Sequence, residues 1–138
     1  MREVFIALLL GLPAVALLVA GWFGAELRRF SRTTDEIRST TDIERMKRVV
    51  AHQMYAALAQ IVLLAVPPIL YFLGLLRGLL VPSDVVLIIL PAAVVILAAQ
   101  VFRRVEAEVR ALPAADSGLA AQRDAIVATW VKRPLPDW

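Results

Sequence analysis

The sequence has no cysteine and one histidine, His52, in 138 residues. Disulfides, thiolate metal sites and cysteine nucleophiles are excluded, and so is a multi-histidine metal or haem site within one chain. Charge is missing in a more telling place. No Asp, Glu, Lys or Arg lies deep in any of three long apolar blocks. Proton relays, ion pathways and coupled transporters usually need such an intramembrane group. There is no Ser-His-Asp spacing, no phosphate-cradling glycine loop and no metal-ligand cluster. The expectation is a protein that is not an enzyme, with no cofactor and no nucleic-acid partner.

What is there is mostly apolar. Hydrophobic residues make up 60% of the chain, against roughly 45–50% in globular proteins. A soluble fold this small has too little interior to hide them. They are concentrated in blocks at 4–25 (VFIALLLGLPAVALLVAGWFGA), 54–76 (MYAALAQIVLLAVPPILYFLGLL) and 85–102 (VVLIILPAAVVILAAQVF). Each approaches the roughly 20 residues that cross a hydrocarbon core. The first block exceeds the h-region of a signal peptide, roughly 7–15 residues, and Arg2 before it is offset by Glu3. A retained anchor is expected. The fold class is therefore an all-α membrane protein with three transmembrane helices.

Lys and Arg set the expected orientation. Residues 26–53 carry Arg28, Arg29, Arg32, Arg38, Arg45, Lys47 and Arg48, and residues 103–138 carry Arg103, Arg104, Arg110, Arg123, Lys132 and Arg133. Only Arg2 precedes the first block and only Arg77 links the second to the third. The N-terminus is expected outside and the C-terminus in the cytoplasm of a bacterial inner membrane.

The organisation follows. Residues 1–25 form the first span and 26–41 a cytoplasmic connection; 42–76 form an amphipathic stub running into the second span. The short link at 77–84 makes an antiparallel hairpin with 85–112, the third span and its cytoplasmic extension. Residues 113–138 are a tail, a short helix and then an extended Pro/Trp peptide. Thr41 with Glu44 fits a capping box for the stub, and Thr33 with Glu36 fits more weakly. Ile43, Met46, Val50, Met54, Ala57 and Ile61 recur on one helical face, as do Val101, Val105, Val109 and Leu112. Pro113 stops the third helix, and Asp116 or Ser117 caps the fourth.

Candidate functional residues lie in two groups. Trp130, Lys132, Arg133, Pro134, Pro136 and Trp138 in "TWVKRPLPDW" suit docking to a partner, since tryptophan is a favoured binding hot spot and a proline-stiffened peptide loses little entropy. The same residues suit an interfacial anchor. Gly74 and Gly78 form a small-xxx-small pair, Pro67 and Pro68 a mid-span kink, and Gln60 an interhelical hydrogen bond; these are packing residues. Gly21 and Gly24 are a weaker packing pair. His52 suits a solvated or interfacial position. The functional expectation is a small accessory or assembly subunit of a larger membrane complex, with other membrane-protein subunits and lipids as partners. The alternatives are a homo-oligomeric channel or small transporter, and a lipid- or pigment-associated subunit.

Overall fold

The computed structural model describes all 138 residues. The chain is all-helical: α1 is Arg2–Thr33, α2 Thr40–Leu76, α3 Val86–Arg110 and α4 Ser117–Lys132, with a short 3-10 turn, Pro82–Val85, before α3. Three helices are long and apolar enough to cross a membrane: Arg2–Thr33, Thr40–Leu76 and the continuous stretch Pro82–Arg110. By composition this is an integral membrane protein. Pro13, Pro67 with Pro68, and Pro91 all lie inside unbroken helices.

The chain divides into two compact units. The first is Met1–Ala20 with Ala59–Gln100, and the second is Gly21–Leu58 with Val101–Trp138. In the first, Leu9, Tyr71 and Leu80 are buried together, with Phe5, Ile6, Leu70, Leu75, Leu87 and Ile88 packed around them. The Tyr71 hydroxyl donates to the Pro82 carbonyl at 2.9 Å, and Asp84 accepts from the Val81 N–H at 2.9 Å. These bonds fix the hairpin link.

The glycine pair expected to pack helices does something else. Gly78 lies beyond the helix with φ +66°. The Leu79 N–H donates to the Gly74 carbonyl at 2.9 Å and the Gly78 N–H to the Leu75 carbonyl at 3.0 Å. That is a Schellman C-cap, which needs a residue able to hold positive φ. Gly74 keeps a packing role, because a Cβ there would lie 2.5 Å from the Leu80 side chain and 3.3 Å from Phe5. The pair shares no helix face, since the helix has ended before Gly78.

The second unit has one continuous apolar core. Leu27, Phe30, Ile37, Ile43, Met46, Val49, Val50, Met54, Val105, Val109, Leu112, Leu119 and Ile126 are buried in one cluster. Burying each such large apolar side chain contributes about 1.5–3 kcal/mol before entropy is counted. All four helices supply it. The connection between α1 and α2 joins through Ile37, which is wholly buried. Its N–H donates to the Pro113 carbonyl and its carbonyl accepts from the Ala115 N–H, both at 2.9 Å. One apolar residue in a polar segment thus pins the connection to the turn before α4.

Capping explains where α2 begins, and it corrects the expected box. Asp42 accepts from the Arg38 and Ser39 N–H groups, both at 3.1 Å, and the Ser39 hydroxyl accepts from the Asp42 N–H at 3.2 Å. The reciprocal pair is Ser39 with Asp42, not Thr41 with Glu44, so the helix starts earlier. These bonds, with that of the Arg38 N–H first, hold the Asp42 carboxyl below the usual carboxylate range. Thr33 is not a cap either; its hydroxyl donates back to the Arg29 carbonyl at 2.9 Å and closes α1. Asp116 caps α4 by accepting from the Leu119 N–H at 2.8 Å.

Candidate functional site

The residues proposed for docking begin on α4 and run into the tail, and most are engaged within the second unit. Trp130 packs against the core. The Arg110 guanidinium lies 4.6 Å from its ring centroid, a cation–π contact. Arg110 also pairs with Glu106 one turn earlier on α3, at 3.3 Å. Burial pushes the Glu106 carboxyl up, against the pull of Arg110 and Arg103. Arg123 donates to the Leu112 carbonyl at 2.7 Å, in the connection just past the end of α3. Glu106, Arg110, Trp130 and Arg123 therefore fasten α4 to α3.

The tail turns back on α4. Arg133 has extended backbone and pairs with Asp137, and Asp137 accepts from the Thr129 hydroxyl at 3.1 Å. Trp138 and Asp137 border a shallow depression with Lys47, Gln122, Ala125, Ile126 and Thr129. Of the six candidates, Trp130 and Pro136 are half-buried, and Lys132, Arg133, Pro134 and Trp138 are exposed, Arg133 being held by its pair with Asp137.

Exposed large apolar residues in this unit fall into two sets. Trp22, Tyr55 and Val101 stand at the margins of the three apolar blocks. Val131, Leu135 and Trp138 belong to the end of α4 and the tail, far along the chain from any block, and are 59%, 47% and 42% exposed. Sequence reasoning named Trp138 and missed Val131 and Leu135. Their spacing of four was the available signal, but "VKRPL" is only helical up to Lys132.

A second feature was not foreseen. An open cleft of about 470 Å³ is lined by Trp22, Phe23, Ala25, Glu26 and Arg29 of α1 and His52 of α2. His52 Nδ1 lies 2.9 and 3.1 Å from the two Glu26 carboxylate oxygens. An ionised carboxylate only accepts, so Nδ1 carries the proton and donates. The Phe23 and His52 rings are 5.6 Å apart, and Gln53 donates to the Phe23 carbonyl. This is the interhelical amide bond that Gln60 was expected to make; the Gln60 side chain has no such partner, and the bond falls seven residues earlier. Of the weaker glycine pair, Gly21 has open space around it, while Gly24 is buried and packs as expected. A Cβ there would lie 2.2 Å from the Phe102 ring, so α1 and α3 touch only because this residue is glycine.

No known protein family, curated protein or solved structure matches this chain.

Proposed function

We propose that the protein is a small, non-enzymatic accessory or assembly subunit of a larger integral membrane complex in a bacterial inner membrane. The N-terminus is outside and the second unit is cytoplasmic, as the distribution of Lys and Arg supports. The spans pack beside partner helices, and the tail docks on a partner's cytoplasmic surface.

One observation carries the reading. The second unit buries its apolar residues except at the block margins and at Val131, Leu135 and Trp138. That exposed trio sits on a peptide already held by Trp130, Arg133 and Asp137. A surface ordered in advance loses little entropy on binding, and tryptophan is a favoured anchor. Lys132 and Pro134 border it, exposed. Docking thus rests on Val131, Leu135, Trp138 and Lys132, with Trp130, Arg133, Pro134 and Pro136 setting their geometry. Gly24 lets α1 and α3 approach closely, and Gly74 makes room for Leu80 of the hairpin link.

Extraction in mild detergent tests this. The full chain is expected to carry unlike membrane subunits with it. The chain lacking residues 132–138 is expected to stay inserted and lose them. If truncation leaves the co-purifying proteins unchanged and only loosens membrane association, the tail is an interfacial anchor and the docking reading fails. A discrete ring of this chain alone that carries ion flux also overturns it.

A further inference from the structure

The cleft beside His52 stands at a definite place in the sequence. Trp22 and Phe23 are near the end of the first apolar block, Arg28 and Arg29 open the polar segment after it, and Met54 opens the second block just past His52. In an inserted protein this is headgroup level. Trp22 is 76% exposed there, as suits an aromatic side chain at a membrane interface. The cleft volume, about 470 Å³, falls in the range of small-molecule sites, roughly 300–1,000 Å³.

Its charges are unusual for their surroundings. The margins of the blocks carry Arg28, Arg29, Arg32, Arg45, Arg48, Arg103 and Arg104, none of which forms an ion pair within the chain. Such a belt attracts any anionic lipid. The cleft itself differs because it also contains a carboxylate. Both Glu26 oxygens share the His52 Nδ1–H, and a carboxylate has about four acceptor positions. The cleft therefore offers one unpaired guanidinium, a carboxylate with acceptor capacity to spare, and the rings of Trp22 and Phe23.

We propose that this cleft binds the headgroup of a zwitterionic aminophospholipid of the surrounding bilayer, with the phosphate on Arg29 and the primary ammonium on Glu26. Guanidinium with phosphate and carboxylate with ammonium are both charge-assisted pairs. The carboxylate decides among headgroups. A purely anionic headgroup places negative charge near Glu26 and gives it no N–H donor. A choline headgroup suits the aromatic rings but also has no N–H to donate. A glycerol headgroup can give Glu26 only a neutral O–H donor, whereas a primary ammonium gives it a charge-assisted N–H bond while the phosphate rests on Arg29. The inference needs the chain to be in a membrane; it does not need it to be a subunit, so the two readings fail separately.

The test is native mass spectrometry of the isolated full-length chain in detergent. It is titrated with phosphatidylethanolamine, phosphatidylglycerol and phosphatidylcholine of identical acyl chains, and separately with free phosphoethanolamine. One extra charge-assisted bond corresponds to about tenfold in affinity. Phosphatidylethanolamine is expected to bind about tenfold more tightly than the other two. Arg29→Gln is expected to weaken it to a similar degree. Glu26→Gln, whose amide oxygen still accepts from His52, is expected to erase the preference over phosphatidylcholine while leaving the circular dichroism unchanged. Equal binding of the three lipids overturns the proposal, as does preference for phosphatidylglycerol, which is belt attraction only. A preference that survives Glu26→Gln overturns the role of that carboxylate. Free phosphoethanolamine binding as well as the lipid overturns the bilayer as the source. The lipid comparison uses the unmodified chain, so it stands even if a variant fails to fold.

Discussion

In the first unit apolar side chains face outward; in the second they face inward. Leu10, Leu18, Ile61, Ile69, Phe72, Leu76, Ile89 and Leu97 of the first unit are exposed, and its buried cluster centres on three residues, Leu9, Tyr71 and Leu80. The second unit gathers thirteen apolar residues into one core. The difference follows from the solvent each expects. Lipid tails are as apolar as leucine, so burial there gains little and helices associate through close packing and hydrogen bonds. Water drives apolar area inward. The continuous helix α2 shows both regimes: Ile43, Met46, Val50 and Met54 are buried, and on the same helical face Ala57 and Ile61 are exposed.

The largest effect expected from breaking this contrast is at Val109, which is fully buried in the second core. Val109→Asp places an unpaired charge there and is expected to cost about 4 kcal/mol or more. Limited proteolysis should then cut within the polar parts of the second unit, residues 26–53 and 103–138, while the apolar blocks remain protected. Cleavage spread evenly over both units would mean they are not distinct. Gly24→Val comes next. Its side chain collides with Phe102, and overpacking of this kind costs about 1–3 kcal/mol. Phe102→Ala in the same chain should restore most of the loss, measured by thermal unfolding in detergent.

Gly78→Ala probes the first unit. Holding a Cβ at φ +66° is expected to cost about 1–2 kcal/mol, read as lower unfolding midpoint with the second unit's proteolysis unchanged. The smallest effect is at the start of α2. Asp42→Ala should cost about 1 kcal/mol, as for other caps. Because the folded-state pKa of Asp42 is depressed, its contribution is present at neutral pH and is lost as pH falls below about 4. The Ala variant should lack that component of the acid sensitivity, followed by helix signal on acid titration.

How much was legible in the sequence depended on the same contrast. The helical faces through Ile43, Met46, Val50 and Met54, and through Val105, Val109 and Leu112, are buried in the structure. Where water drives burial, periodicity reports it. Past Met54 the same period continues and reports nothing, because lipid accepts either face. Local hydrogen bonding was harder. Ser39-x-x-Asp42 and Thr41-x-x-Glu44 both fit a capping pattern, and only backbone geometry separates them. "GLLRG" read as a packing pair because the pattern assumes a helix that continues, and the positive φ at Gly78 ends it. The cleft stayed hidden because Glu26 and His52 are 26 residues apart and meet only when α1 and α2 lie side by side. The tail was visible from composition alone. That its apolar surface is Val131, Leu135 and Trp138, with Trp130 turned inward under Arg110, required the fold.

The absence of cysteine permits a direct test of the proposed topology, in which the apolar blocks cross the bilayer with the hairpin link outside and the C-terminal tail in the cytoplasm. Single cysteines at Leu97, Ser83 and Lys132 are exposed to a membrane-impermeant maleimide in intact spheroplasts and in inverted vesicles. Leu97→Cys should react in neither, Ser83→Cys only in spheroplasts, and Lys132→Cys only in inverted vesicles. Labelling of Leu97→Cys without detergent, or of Ser83→Cys and Lys132→Cys from the same side, would contradict the account.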